Sequence, residues 1–125
     1  MVDVMIVGAG KIGSTIARLL AATPDYHVTV VDRSKKRLSE IATGSTFSTA
    51  QLDIADHAAL ASQLPGKFAV LSAAPFQLTL TIADAAAKAG VHYLDLTEDV
   101  ESTRRVKLIA NTAKSAFIPQ CGLVS

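Results

Sequence analysis

Three glycines near the amino terminus are spaced as in a turn that binds phosphate. The segment from 8 to 13 reads G-x-G-x-x-G, with a short apolar strand pattern before it and apolar residues at helical spacing after it. Gly8 permits a tight turn, Gly10 leaves room for a pyrophosphate, and Gly13 lets the helix pack closely on the strand. Backbone amides at the helix start then face the phosphates, helped by the helix dipole. The predicted contacts with a dinucleotide are Gly8, Gly10, Lys11, Ile12 and Gly13.

A carboxylate follows at the spacing at which such sites bind the adenosine ribose. Asp32 ends a β-branched strand about 20 residues beyond the glycines, where it can accept hydrogen bonds from ribose hydroxyls. A 2′-phosphate would be repelled there, so NAD is favoured over NADP. Arg33 and the basic run Lys35–Arg37 can offset that repulsion, and NADP stays open. A solvated helix face is the favoured interpretation of the run, and stacking on adenine is a further option for Arg33.

Two further strand ends carry candidate cofactor contacts. Asp53 ends the third predicted strand, where it would either meet the adenine amino group or cap the helix that begins near Asp56. After the fourth strand, small residues leave room for the nicotinamide ribose. Pro75 also suits the start of the next helix. The candidates in this segment are Ala73, Ala74 and Pro75.

The remaining reactive side chains do not form a recognisable catalytic or metal site. The three histidines are scattered, and the single cysteine, Cys121, has no basic neighbour that would activate it. An acidic cluster spans 95–99 at the end of the fifth predicted strand, and capping of the following helix by Thr97 or Asp99 is its favoured role. No catalytic residue and no metal are therefore predicted.

Alternating strands and helices position these residues. Apolar runs predict strands at 3–7, 27–31, 46–52, 68–71, 91–96 and from 116 to 119. Helical spacing predicts helices at 12–20, 33–41, 56–64, 77–89 and 101–113. Each helix carries the chain back across the sheet, which forces parallel pairing with right-handed crossovers. The fold class is α/β, a Rossmann-type doubly wound parallel sheet of about six strands.

Composition limits the class of protein. The 125 residues are half apolar with a net charge of +1, which suits one domain, 1–125, and provides no field to attract nucleic acid or an anionic membrane. No apolar stretch approaches the roughly 20 residues of a membrane span. One cysteine cannot form an internal disulfide, and no leader pattern begins the chain. We expect a cytoplasmic domain with no nucleic-acid or membrane partner.

Several segments together resemble the N-terminal NAD(P)-binding domain of the saccharopine dehydrogenase family. Beyond the glycine turn and Asp32, the segments that carry the resemblance are Ala73–Phe76, Tyr93–Thr97 and Pro119–Gly122. The resemblance covers nearly the whole chain. It implies that the glycines, Asp32 and the segment 73–75 contact the cofactor.

The same resemblance implies an enzyme larger than this chain. Members of the family interconvert an imine and an amine with hydride from NAD(P)H, and a substrate-binding, dimerising domain follows the segment that corresponds to Gly122. The chain would then be the N-terminal fragment of a homodimeric oxidoreductase acting on an amine or amino-acid substrate. Alone it would bind cofactor with little or no turnover.

Two other functions share these features. A nucleotide-sensing domain of a channel or transporter has the same fold, glycine turn and acidic strand end. A methyltransferase that binds S-adenosylmethionine is a third possibility. The alanine-proline turn after the fourth strand favours the oxidoreductase over the nucleotide-sensing domain. A helix that begins inside the glycine pattern suits a pyrophosphate better than S-adenosylmethionine, which argues against the methyltransferase.

Overall fold

The computed structural model describes residues 1–119, in which strands and helices alternate. The strands are β1 Val2–Val7, β2 Tyr26–Asp32, β3 Ser48–Gln51, β4 Ala69–Ser72, β5 His92–Asp95 and β6 Phe117–Ile118. The helices are α1 Lys11–Ala21, α2 Lys35–Ala42, α3 His57–Gln63, α4 Thr79–Ala89 and α5 Val100–Ala110. A 3-10 turn, Phe76–Leu78, precedes α4.

All six strands form one parallel sheet in the order β3-β2-β1-β4-β5-β6. The strand order reverses between β1 and β4, so their carboxyl ends flank the crevice in which this fold binds its ligands. Val7 of β1 lies in register with Val31 of β2 on one side and Ser72 of β4 on the other. The predicted doubly wound α/β fold is confirmed.

Helices cover both faces of the sheet, which explains the continuous apolar run of β1. Val4 and Ile6 belong to a buried cluster that includes residues of α1 and α2. Met5 and Val7 point to the other face, where the buried cluster includes residues of α3, α4 and α5. A strand buried on both faces needs apolar side chains at successive positions. Within residues 1–119, no helix is long and apolar enough to cross a membrane.

Several predicted boundaries differ from the structure because local hydrogen bonds end elements early. β5 stops at Asp95, whose side chain accepts the N–H of Thr97 at 3.1 Å and turns the chain out of the ladder. α5 stops at Ala110, and the N–H of Thr112 donates to the carbonyl of Ile109 at 3.2 Å in a tighter turn. These differences leave the strand ends that carry the candidate site at the predicted edge of the sheet.

Candidate functional site

The glycine turn joins β1 to α1 under tight steric constraint. Gly8 has φ 113°, and a Cβ built there would lie 2.8 Å from the carbonyl oxygen of Ala73. A Cβ on Gly13 would overlap the carbonyl oxygen of Gly8. Gly10 differs, since no atom comes within 4 Å of the place its Cβ would take. Two of the glycines are therefore required by packing, and the third leaves open space.

That open space lies at the amino end of α1. Gly10 is the N-cap residue in extended conformation and has no side chain to cap the helix. The first N–H groups of any α-helix lack intrahelical acceptors, and they carry partial positive charge. Lys11 and Ile12 in this first turn are exposed. The turn therefore combines open space with unpaired N–H groups, the two features that a bound pyrophosphate would use.

Asp32 lies beside the glycine turn, as its spacing predicts. Its Oδ2 accepts the N–H of Ala9 at 2.8 Å, and its Oδ1 accepts the N–H of Ser34 at 2.8 Å. Each carboxylate oxygen has a second lone pair, so both remain able to accept a ribose hydroxyl. The bond to Ala9 was not anticipated from the sequence.

The basic residues after Asp32 are exposed. Ser34 caps α2, and its hydroxyl accepts the N–H of Arg37 at 3.2 Å. Gln51 of β3 donates to the carbonyl of Arg33 at 3.1 Å, which ties the start of this segment to the neighbouring strand. The side chains of Lys35, Lys36 and Arg37 line the exposed surface of α2.

Asp53 does not cap the following helix. The cap of α3 is Asp56, whose Oδ1 accepts the N–H of Ala59 at 3.1 Å. Asp53 instead accepts the N–H of Ala55 at 3.0 Å in a turn after β3. The capping interpretation of Asp53 was therefore wrong, because Asp53 lies three positions before the N-cap residue. Its contact with adenine stays a prediction.

The segment from Ala73 to Pro75 lies against the glycine turn. The N–H of Ala73 donates to the carbonyl of Val7 at 2.8 Å, and this bond extends the pairing of β1 with β4. Pro75 has φ −55° and ψ 147°, and it introduces the 3-10 turn. The fold thus brings Gly8, Gly13 and Ala73 together at the switch point of the sheet.

The acidic cluster after β5 is structural in two of its members. Asp99 caps α5, and its Oδ2 accepts the N–H of Ser102 at 2.7 Å, which confirms one of the two predicted caps. Hydrogen bonding from the Ser102 side chain and backbone lowers the pKa of the Asp99 carboxyl below its ordinary value. Asp95 is buried and accepts the hydroxyl of Tyr93 at 2.6 Å. Residues two apart in a strand share a face, which is the sequence signal for this pair.

The histidines take separate places in the fold. His27 has its Nδ1 3.0 Å from Oδ1 of Asp3, and Nδ1 of His92 accepts the N–H of Ala116 at 2.9 Å. In the described part of the chain, no group of three or more His, Cys, Asp or Glu side chains is arranged to hold a metal ion. Cys121 and the rest of the segment 120–125 lie outside the described residues.

A cavity of about 500 Å³ lies between α3 and α4, away from the glycine turn. It is lined by residues such as Leu60, Pro65 and Ala85, and by none of the predicted contacts. A dinucleotide in this fold lies along the carboxyl edge of the sheet, in an open crevice. The cavity is therefore not the candidate site.

Comparison with protein families identifies the domain. Residues 4–116 match the saccharopine dehydrogenase NADP binding domain. The chain belongs to this family. The saccharopine dehydrogenase resemblance drawn from the sequence is confirmed, and with it a nicotinamide dinucleotide as the cofactor of the domain.

Individual relatives agree with this family. The carboxyaminopropylagmatine dehydrogenase of Synechocystis sp. (strain ATCC 27184 / PCC 6803 / Kazusa) is 36% identical over 102 residues, which are 76% of this chain and 25% of that protein. Apo saccharopine dehydrogenase (L-Glu forming) from Saccharomyces cerevisiae superposes with TM-score 0.88 and 22% identity, over 98% of this chain and 28% of the yeast chain. A putative myo-inositol dehydrogenase from Sinorhizobium meliloti 1021 has TM-score 0.76 and 20% identity, over 95% of this chain and 36% of the other. The last two likenesses concern the fold alone.

The residues of the site fit the cofactor of the saccharopine dehydrogenase family. The space beside Gly10 is empty, and a single Cβ there would begin to fill it. The amino end of α1 lies next to this space. A carboxylate stands at the end of the adjacent strand, 2.8 Å from the amide of Ala9. The chain spans a quarter of the length of its Synechocystis relative.

Proposed function

We propose that this domain binds NAD in preference to NADP. We further propose that it serves an oxidoreductase that transfers hydride at an amine or imine carbon of an amino-acid or polyamine-like substrate. The observation that carries the cofactor proposal is the carboxylate of Asp32, 2.8 Å from the amide of Ala9 in the glycine turn. The name of the Synechocystis relative, carboxyaminopropylagmatine dehydrogenase, supports the substrate class.

Each part of the cofactor has a proposed partner at the carboxyl edge of the sheet. The turn from Gly8 to Gly13 would hold the pyrophosphate with its backbone amides. Asp32 would accept the ribose hydroxyls, while Arg33 and Asp53 would border the adenine. The segment 73–75 would border the nicotinamide ribose. When bound, the nicotinamide ring supplies or accepts the hydride.

Charge at the ribose decides between the two cofactors. The family is named for NADP, and four exposed cations follow Asp32, namely Arg33, Lys35, Lys36 and Arg37. The carboxylate of Asp32, by contrast, bonds directly to the Ala9 amide of the turn. A 2′-phosphate bound there would bring two like charges together, and repulsion at short range favours the unphosphorylated ribose.

Calorimetric titration tests the cofactor proposal. We expect wild type to bind NAD about tenfold more tightly than NADP, and Asp32→Ala to lose at least about tenfold in NAD affinity, since a hydrogen bond to a charged group contributes roughly 1.5–3 kcal/mol. The variant should also lose the preference for NAD. Asp25→Ala, an exposed carboxylate just before β2, is the matched control and should bind as wild type does. Tighter binding of NADP by wild type would contradict the proposal.

The proposed chemistry needs groups beyond this domain. We propose that a following domain supplies the catalytic and amine-binding groups, and that the longer protein is a homodimer. A longer protein that contains this domain is expected to reduce an imine or oxidise a secondary amine with its nicotinamide cofactor, whereas residues 1–125 alone should show little turnover. Absorbance of the reduced cofactor, followed with amino-acid, polyamine and sugar-alcohol substrates, measures this. Turnover of the sugar alcohols only would contradict the substrate class, and nucleotide binding without turnover would favour a sensing role.

A further inference from the structure

The last two residues of β2 hold the first two residues of the glycine turn. The N–H of Gly8 donates to the carbonyl of Val31 at 2.9 Å, which continues the backbone ladder between β1 and β2. The N–H of Ala9 then donates to the side chain of Asp32 at 2.8 Å. Where the chain leaves the sheet, the acceptor therefore changes from the carbonyl of Val31 to the carboxylate of Asp32.

Ala9 depends on this carboxylate for two reasons. The residue is 4% exposed, so an N–H without an acceptor would carry the cost of a buried, unpaired donor. It also lies between Gly8 and Gly10, and two glycines allow the intervening peptides many conformations. A charge-assisted hydrogen bond selects one of them.

We propose that Asp32 is a positioning residue for the phosphate-binding turn, in addition to its proposed contact with ribose. The carboxylate orients the peptide of Ala9, and the Ala9 peptide sets the direction in which Gly10 leads into α1. The N–H of Ser34 on the other carboxylate oxygen, at 2.8 Å, keeps the side chain from rotating away. This inference rests on the proposed function, because the turn is assumed to bind the diphosphate of a nucleotide.

Three accounts of Asp32 differ in what they predict for a nucleotide that lacks ribose hydroxyls. If Asp32 contacts only the ribose, removal of its charge leaves the binding of such a nucleotide unchanged. If its main effect is the field of its negative charge, neutralisation strengthens the binding of an anionic diphosphate. If it positions the turn, neutralisation weakens that binding.

The experiment compares ADP with 2′,3′-dideoxy-ADP, by calorimetry, on wild type, Asp32→Asn and Asp25→Asn. Asparagine keeps one oxygen but presents an amide N–H₂ to the second donor, so one of the two backbone bonds is lost. We expect Asp32→Asn to bind the dideoxy nucleotide about fivefold more weakly than wild type, as the loss of one net hydrogen bond implies. Asp25→Asn removes the same charge at the opposite end of β2 and should bind both nucleotides as wild type does.

Amide hydrogen exchange provides a readout that needs no ligand. In folded Asp32→Ala, which removes both side-chain acceptors, exchange of the Ala9 N–H should be about tenfold faster than in wild type, while core amides of β1 keep their protection. Equal or tighter binding of the dideoxy nucleotide by Asp32→Asn, or unchanged exchange at Ala9 in Asp32→Ala, would overturn the positioning role. Failure of wild type to bind either ADP or NAD is a separate result, which would overturn the proposed function itself.

Discussion

Gly13→Ala is expected to lower the free energy of unfolding far more than the same substitution at Gly10, the other glycine of the turn with φ below zero. The added methyl group would overlap the carbonyl oxygen of Gly8 and press on the side chain of Ala73 at 3.4 Å. The backbone of Gly8, just after β1, and the methyl group of Ala73, just after β4, lie against α1 there, and close-packed structure relaxes poorly around a backbone clash. We expect a loss of more than about 4 kcal/mol in the free energy of unfolding, in the range that single substitutions reach only exceptionally. Urea denaturation followed by circular dichroism measures it.

Gly10→Ala is the matched control, since it makes the same chemical change three residues earlier in the turn. Gly10 has φ −76° and ψ −172°, a conformation open to any residue, and its Cβ would meet nothing within 4 Å. Its cost should stay below about 1 kcal/mol, the usual difference between glycine and alanine at an N-cap. Equal losses of unfolding free energy in Gly13→Ala and Gly10→Ala would show that the cost comes from replacing glycine at the start of the helix. The close approach of α1 to the end of β1 would then not be its cause.

The parts of the site that could be predicted from the sequence are those fixed by local pattern and by sheet geometry. A glycine spacing between a strand and a helix defines the turn without knowledge of its neighbours. The carboxyl ends of parallel strands share one edge, so Gly8, Asp32 and Ala73 are expected together as soon as their strands are recognised. The structure brings these three residues to that edge, at the end of β1, β2 and β4.

The parts that could not be predicted depend on distances between strands and on competition between nearby residues of one type. The hydrogen bond from Ala9 to Asp32 spans 23 positions in the sequence and depends on the register of β2 against β1. Asp53 and Asp56 are both able to cap a helix, and only the first turn of α3, which starts at His57, selects between them. Pattern analysis finds the edge at which a side chain lies, but not the atom that it contacts.

The glycine turn separates the demands of folding from those of binding. Gly8 and Gly13 have backbone and side-chain atoms of the domain close to where a Cβ would stand, whereas the corresponding space at Gly10 is empty. A packed fold would accept a side chain at that position. We propose that a ligand needs this space at Gly10, and the pyrophosphate is the group that would occupy it.

Gly10→Val is accordingly expected to fold and to lose the cofactor. Valine tolerates the extended conformation of Gly10, and its branches would extend into open space, so the free energy of unfolding should fall by only about 1 kcal/mol through poorer capping. The same branches would stand where the diphosphate approaches the amides of α1. We expect NAD affinity to fall by at least about 100-fold, equivalent to about 2.7 kcal/mol.

The NAD affinity of Gly10→Ala should lie between those of wild type and Gly10→Val, because its one methyl group fills less of the space. Calorimetric titration of the three proteins with NAD measures the series, and circular dichroism establishes that each is folded. NAD affinity that stays within twofold across the series would mean that the diphosphate lies elsewhere, and the glycine turn would then serve packing alone.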